Sequence, residues 1–182
     1  MNTIPFRELK TERLLLRKLK ESDWEMVSYL RSDPEVNKFV KRSAAETKEK
    51  ALEFIHKSNN QIDDGSIYQW CIALPKNQKM IGSICLWNLS EDRKTAEVGY
   101  DLATEYHDKG IMHEALNEVL DFGFNMLKLD KIEAYTQQNN ESSKKLLEKN
   151  GFVFVEGKVD EDNELNSVYE LAKHNYDSST II

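Results

Sequence analysis

The sequence predicts an α+β domain built on a mostly antiparallel sheet that helices flank. Three strand-like runs follow one another at residues 67–74, 80–87 and 95–102, and the polar turns between them are typical of an antiparallel meander. A helical period of apolar residues returns after Gly110. The chain has 182 residues, 40% of them hydrophobic, which is enough for one compact domain with a sizeable core.

The first part of the chain is expected to form a short strand and two helices. The leucines at 14–16 predict a buried strand. Ser22 and Glu25 have the spacing of a capping box, which predicts the start of the first helix. The second helix begins either with a capping box from Ser43 to Glu46 or with a cap at Thr47, and it ends before residue 64.

The second part of the chain alternates helices with strands. The patterns predict a helix after Gly110, a strand at 131–136, a helix at 140–149 and a final hairpin at 152–159 and 165–172. The junction between the strand at 95–102 and the next helix matters most for function. A helix N-terminus there would present free N–H groups to an anion.

Composition narrows the classes of function. The formal net charge of −7 argues against a nucleic-acid surface and is compatible with a cationic substrate. No apolar run approaches the roughly 20 residues that a membrane span needs. The first residues lack the pattern of a signal peptide, so we expect a cytoplasmic protein with no membrane partner.

Two cysteines and four histidines give little sign of redox or metal chemistry. Cys71 and Cys85 lie in consecutive strand-like runs and would face each other in a hairpin about residues 77–78. We expect them to be reduced core thiols, since two cysteines are too few for a disulfide framework. The histidines are scattered without ligand spacing, so no metal site is expected.

Five segments, in this order, resemble those of the GNAT N-acetyltransferases, and of their RimJ/RimL branch in particular. They are TERLLLR at Thr11–Arg17, SDPEV at Ser32–Val36, IGS at Ile81–Ser83, AEVGY at Ala96–Tyr100 and NESSKKLLEKNGF at Asn140–Phe152. The resemblance covers about residues 9–172, and the whole chain, 1–182, is predicted to be a single domain.

The resemblance implies the GNAT fold, with a twisted, mostly antiparallel sheet of about seven strands. It also implies acetyl-CoA as cosubstrate. The RimJ/RimL branch acetylates the N-termini of ribosomal proteins.

The resemblance also implies where the coenzyme binds. The cofactor-binding residues would be Leu102, His107, Asp108, Lys109, Gly110, Ile111, Met112, His113 and Asn140. A turn that contains Gly110 and opens a helix suits a diphosphate, because its amides converge and the helix dipole is positive there. His107 and Met112 depart from the family pattern, and Met112 stands where a small residue is usual.

Glu97 is the candidate general base. It lies on the strand before the phosphate turn, where the family usually places one. A carboxylate that is partly desolvated has a raised pKa and can take the proton that an ammonium must lose before it attacks a thioester. Gly99 follows two residues later, at the point where the family's strand splays from its parallel neighbour, here 131–136.

Asn140 and Ser143 begin the helix after that neighbour. Asn140 resembles the family asparagine that bonds the pantetheine arm of the coenzyme, and it also suits a helix N-cap. Ser143 resembles the serine suggested as proton donor to the leaving thiolate. Many GNAT enzymes use a tyrosine four residues further on, where this chain has Leu147.

Three hypotheses remain open on the sequence. The chain acetylates the α-amine of a protein, acetylates a small amine such as a polyamine or an aminoglycoside, or binds coenzyme A as a sensor without turnover. The mechanism expected for an enzyme is direct transfer without an acyl-enzyme, since no placed nucleophile and base indicate covalent catalysis. Homodimers are common in the family, and the sequence does not reveal the oligomeric state.

Overall fold

An eight-stranded sheet runs through the protein, whose computed structural model describes residues 4–176. The ends of the predicted domain, 1–3 and 177–182, lie outside the described residues. The strands are β1 Leu9–Lys10, β2 Leu15–Arg17, β3 Tyr68–Ala73, β4 Met80–Trp87, β5 Thr95–Leu102, β6 Lys131–Gln137, β7 Val153–Phe154 and β8 Asn166–Ala172. The helices are α1 Trp24–Ser32, α2 Lys48–Asp63, α3 Ile111–Asp121, which continues as a π-helical turn over Phe122–Met126, and α4 Glu141–Lys149.

The sheet has the mixed, mostly antiparallel order that the sequence predicts. The strands are arranged β1-β2-β3-β4-β5-β6-β8-β7, and every neighbouring pair is antiparallel except β5 with β6. Helix α3 connects the two parallel strands, as a crossover between parallel strands requires. Within residues 4–176, no helix combines the length and the apolar character needed to cross a membrane.

Most predicted strands are confirmed, and both ends of the sheet differ from expectation. The bounds of β4 and β5 match the predicted runs. The eighth strand is β1, a two-residue edge strand that has no pattern of its own in the sequence. The predicted strand at 152–159 shrinks to β7, because the chain turns at Gly157, where φ is +76°.

One predicted helix start is corrected, and for another the structure decides between two alternatives. Ser22 is not the cap of α1; instead the side chain of Asp23 accepts from the backbone N–H of Lys20 at 2.8 Å, across a 3₁₀ turn that precedes the helix. Thr47 is the N-cap of α2, and its hydroxyl accepts from the backbone N–H of Lys50 at 3.3 Å. The Thr47 alternative was therefore right and the capping box at Ser43 wrong.

The two cysteines are free, and they do not face each other. The β3–β4 register places Ser83 opposite Cys71, and it places Gln69 opposite Cys85. The thiols therefore occupy diagonal positions on one face of the sheet. Burial raises the pKa of both thiols to about 12.

The sheet separates two hydrophobic clusters. On one face, α3 and α4 pack against strand residues such as Trp70, Ile84 and Val98, and Leu147 of α4 belongs to the same cluster. On the other face, α1 and α2 pack through a smaller cluster that includes Val27, Ile55, Cys71 and Met80. Side chains alternate across a strand, so neighbouring residues of β5 belong to different faces.

A buried ion pair joins the strand β2 to the entrance of α1. The guanidinium of Arg17 donates to both carboxylate oxygens of Asp23, at 2.7 and 2.8 Å, and the two side chains are only 2% and 6% exposed. Arg17 also donates to the backbone carbonyls of Lys18 and Gln78. The pair therefore fixes β2 to the β3–β4 turn as well as to α1.

Removal of Asp23 is expected to destabilise the fold strongly. Asp23→Ala leaves a buried guanidinium without its carboxylate, which typically lowers the free energy of unfolding by about 3–5 kcal/mol. The exposed pair between Lys18 and Asp63 provides a matched control. Asp63→Ala should cost less than about 1 kcal/mol. Urea unfolding of both variants measures the difference, and equal losses would contradict this account.

Candidate active site

A cleft opens in the sheet where the two parallel strands separate. Strands β5 and β6 pair only at Thr95 with Lys131, Ala96 with Ile132 and Glu97 with Glu133. Beyond that point β5 continues to Leu102, paired only with β4, and β6 continues to Gln137, paired only with β8. We call the gap between residues 98–102 and 134–137 the cleft. The predicted splaying of the two strands is confirmed.

Backbone polar groups of β5 line one side of the cleft. The N–H of Ala103 donates to Ile81 at the end of the β4–β5 ladder, so the odd-numbered residues of this strand direct their backbone groups toward β4. Val98, Tyr100 and Leu102 therefore direct their N–H and C=O groups toward the cleft. An extended ligand with amide groups can pair with this edge as a strand would.

The turn at 103–113 has the geometry of an anion site. It contains a 3₁₀ turn at Thr104–Tyr106, and both Asp108 and Gly110 have positive φ, +57° and +71°. Gly110 is the residue before α3, in the left-handed conformation that glycine adopts at little cost. Among the described residues, no protein group accepts from the backbone N–H of any residue from Asp108 to His113. Six amides at the positive end of α3 are thus available to an anion.

The side chains of this turn mostly lie away from those amides. Nε2 of His107 donates to the carbonyl oxygen of Leu102 at 2.9 Å, which fixes the turn to the end of β5. Nζ of Lys109 donates to the carbonyl of Glu105 and lies over the ring of Tyr106, so its charge is directed toward these two residues of the turn. Met112 is only 9% exposed and packs in the core.

His113 forms a contact with the end of α4. Its Nδ1 donates to the side-chain oxygen of Asn150 at 3.1 Å. Burial and the nearby charge of Lys149 lower the pKa of His113, although the hydrogen bond to Asn150 opposes the shift. The imidazole is therefore neutral near pH 7 and ties α3 to α4 instead of adding a positive charge to the turn.

Glu97 lies at the point where the cleft opens, opposite the half-exposed indole of Trp87. Nδ2 of Asn88 donates to its carboxylate at 2.5 Å. Burial raises the pKa of Glu97; the hydrogen bond from Asn88 opposes this, and the charges of Glu133 and Asp160 raise the pKa further. A carboxylate with a raised pKa is better able to accept a proton near neutral pH.

Sequence reasoning missed Glu133, the register partner of Glu97 on β6. Lys131 and Lys158 each donate to one of its oxygens, at 2.6 and 2.7 Å, and the hydroxyl of Tyr135 donates at 2.9 Å. Burial alone would raise the pKa of Glu133, yet these three hydrogen bonds lower it to about 2. Two neighbouring carboxylates thus have pKa values shifted in opposite directions, a difference typical of functional sites.

Asn140 and Ser143 lie together at the start of α4. The side-chain oxygen of Asn140 accepts from the backbone N–H of Ser143 at 3.2 Å, so the N-cap role is present. The hydroxyl of Ser143 lies 2.8 Å from that of Tyr100, a residue of β5 on the opposite side of the cleft. Burial raises the pKa of Tyr100 to about 12, so its hydroxyl stays protonated. Tyr100 was not anticipated, although it belongs to the AEVGY segment.

The segment before β2 contacts the anion turn directly. The hydroxyl of Thr11 and the backbone N–H of Arg13 both donate to one carboxylate oxygen of Glu114 in α3, at 2.5 and 2.9 Å. Nε of Arg13 donates to the other oxygen at 2.5 Å, and its Nη1 donates to the carbonyl of Lys109 at 2.9 Å. Both residues belong to the Thr11–Arg17 motif, yet a separation of about a hundred residues hides such contacts from sequence reasoning.

Comparison with known proteins gives the same family as the sequence motifs. Residues 13–153 match the family described as the acetyltransferase (GNAT) domain. An uncharacterized N-acetyltransferase of Bacillus licheniformis is 32% identical over 139 residues, which are 76% of this chain and 78% of that protein. Spermidine N(1)-acetyltransferase of Vibrio cholerae is 25% identical over 163 residues, 90% of this chain and 91% of that protein.

Two further comparisons concern substrate class and fold. Bacillus subtilis YdaF, provisionally named a ribosomal N-acetyltransferase, is 31% identical over 100 residues, 55% of this chain and 50% of that protein. The crystal structure of a GNAT-family acetyltransferase from Bacillus anthracis superposes with a TM-score of 0.77 at 26% identity and covers 92% of this chain and 99% of that one. The chain therefore belongs to the GNAT family and is an acetyl-CoA-dependent N-acetyltransferase.

Proposed function

We propose that the protein transfers the acetyl group of acetyl-CoA directly to the α-amine of a protein or peptide. The observation that carries this proposal is the position of Glu97 at the opening of a cleft whose other end is the six-amide turn. Direct transfer is favoured because the thiols of Cys71 and Cys85, with pKa values of about 12, are poor nucleophiles.

The residues of the cleft are suited to each part of the coenzyme. The amides of Asp108–His113 would bind the diphosphate, and the backbone edge of β5 that ends at Leu102 would pair with the amides of the pantetheine arm. The side-chain nitrogen of Asn140 remains available to the same arm, since only its oxygen is used as the cap. Acetyl-CoA supplies the activated acetyl group, and the chain positions it between β5 and β6.

Proton movements would involve Glu97 and the hydroxyl pair of Ser143 and Tyr100. Glu97 accepts a proton from the acceptor ammonium, directly or through water, and the neutral amine then attacks the thioester carbonyl. The C–N bond forms as the C–S bond breaks, and coenzyme A leaves as a thiolate. Ser143 is the proposed proton donor to that thiolate, with Tyr100 holding its hydroxyl in place. The second proton, which the nitrogen loses as the amide forms, passes through water to the Ser143 oxygen and restores its hydroxyl.

The charge around Glu97 supports an acceptor with a single ammonium group. The exposed indole of Trp87 offers a cation a favourable aromatic face beside the carboxylate. Lys131 and Lys158 neutralise Glu133, so this carboxylate adds little attraction for a second ammonium group. The relative named as a ribosomal acetyltransferase supports a protein acceptor, whereas the spermidine acetyltransferase supports a small amine as the second candidate.

Acetyl-CoA is expected to stabilise the protein through the turn at Gly110. Binding to the folded state should add about 2.7 kcal/mol to the free energy of unfolding at a hundredfold excess over the dissociation constant. Gly110→Val should abolish the upward shift of the melting temperature, because a β-branched residue is strained at φ +71°. Gly157→Val is the matched control, since Gly157 also has positive φ and a Cβ added there would meet no atom within 4 Å. A shift that survives in Gly110→Val would place the diphosphate elsewhere.

Glu97→Gln is expected to lower turnover by roughly a hundredfold, the lower end for a positioned general base. The natural protein should lose activity as the pH falls through the raised pKa of Glu97, because the protonated carboxyl cannot accept a proton. That limb of the pH–rate profile should vanish in the variant, while the affinity for acetyl-CoA barely changes. Steady-state kinetics across the pH range measures both effects, and unchanged turnover would exclude Glu97 as the base.

The acceptor is expected to be an α-amine when peptides and polyamines compete. An α-amine has a pKa of about 7.7–8.0, so its neutral form costs about 1.2 kcal/mol at pH 7, against about 4.6 kcal/mol for a lysine with a pKa of about 10.4. The test mixes peptides with free Ala or Ser N-termini, N-terminally blocked peptides that contain lysine, and spermidine. Mass spectrometry locates the acetyl group, and preferential acetylation of spermidine or lysine would overturn the assignment.

A further inference from the structure

The Thr11–Arg17 motif contains a cluster of charged contacts that the proposed mechanism does not use. Arg13 and Thr11 together make four hydrogen bonds to α3 and to the turn before it, all between 2.5 and 2.9 Å. The motif is anchored in the hydrophobic core through Leu14 and Leu16, which are at most 1% exposed. The side chain of Arg13 itself is 49% exposed, so packing in the core does not explain why an arginine occupies this position.

We infer that Arg13 is a positioning residue for the diphosphate of acetyl-CoA, an inference that rests on the proposed function of the turn. Its Nη1 holds the carbonyl oxygen of Lys109. In a planar trans peptide the C=O and the next N–H point in opposite directions. Holding the carbonyl of Lys109 toward Arg13 therefore directs the N–H of Gly110 away from Arg13, out of the turn and toward the anion.

Arg13 also removes a charge that would oppose the anion. Glu114 lies in the first turn of α3, close to the free amides, and its carboxylate would repel a diphosphate. Burial alone would raise the pKa of Glu114, but hydrogen bonds from Thr11 and Arg13 lower it overall, so the carboxylate stays ionised. The guanidinium neutralises that charge through the bond from Nε. Thr11 and Arg13 together keep the carboxylate turned toward the motif.

The test compares two acetyl donors that differ in the diphosphate. Acetyl-CoA contains the diphosphate, whereas acetyl-pantetheine has the same thioester and lacks it. Arg13→Gln is expected to raise the KM for acetyl-CoA about tenfold, because the misdirected N–H of Gly110 loses its hydrogen bond to the charged diphosphate. The variant should leave kcat within about twofold. The KM for acetyl-pantetheine should not change. Lys10→Gln is the matched control, because it removes the same charge from an exposed position of the same segment.

Two further variants separate the charge of Arg13 from its geometry. Arg13→Lys keeps the charge but not the fork that reaches both Glu114 and Lys109, so it should recover only part of the affinity for acetyl-CoA. The double variant Arg13→Gln/Glu114→Gln should bind acetyl-CoA more tightly than Arg13→Gln alone, since no unpaired carboxylate then remains beside the turn. An affinity no better than that of the single variant would overturn the charge argument.

Several outcomes would overturn the inference as a whole. Equal losses with both thioesters would indicate general damage to the fold, and no loss with either would show that Arg13 has no role at the diphosphate. If the natural protein and Arg13→Gln bind acetyl-CoA equally well, this inference alone is overturned. A natural protein that binds no acetyl-CoA overturns the proposed function together with it.

Discussion

The parallel pairing of β5 with β6, which lasts for only three residue pairs, is the constraint on which the rest of the site depends. These pairs keep the eight strands in one sheet, and their early end opens the cleft within it. Both strands keep their other partners, β4 and β8, so each strand stays hydrogen-bonded within the sheet along the cleft. The last pair consists of Glu97 and Glu133, which places two carboxylates at the point where the cleft opens.

The environments of these two carboxylates differ because their neighbours differ. Glu133 accepts from two lysines and a tyrosine, whereas Glu97 accepts from one uncharged amide, that of Asn88. Coulombic repulsion from an ionised Glu133 raises the pKa of Glu97 further. A pair of acids with pKa values separated in this way allows one to stay charged while the other exchanges a proton near neutral pH. The lysines keep Glu133 ionised, although the charge of Lys158 itself lowers the pKa of Glu97 and so opposes part of that repulsion.

The sequence predicted the features that depend on local pattern and missed those that depend on distant contacts. Strands β4 and β5, the cap at Thr47 and the cap at Asn140 all follow from residues within a few positions of one another. The start of α1 was missed because Asp23 is recruited by the buried Arg17, whose burial no local pattern reveals. Tyr100 and Arg13 were missed for the same reason, since each acquires its partners only when separate segments meet in the fold. Glu133 has two partners on its own strand, Lys131 and Tyr135, but its place beside Glu97 depends on the pairing of β5 with β6.

An acidic chain can bind an anionic coenzyme when the positive potential comes from the backbone. Lys109 is turned back onto Glu105 and Tyr106, and His113 is held neutral by its surroundings. Six amides and the dipole of α3 remain, and neither contributes to a net charge of −7. A site made of backbone amides tolerates any side chain that leaves the backbone geometry intact. Met112, whose side chain is buried in the core, is therefore compatible with the turn. What such a site does require is a fixed orientation of its peptide groups, and in this protein that requirement explains why the contacts of Thr11 and Arg13 reach across a hundred residues to the turn.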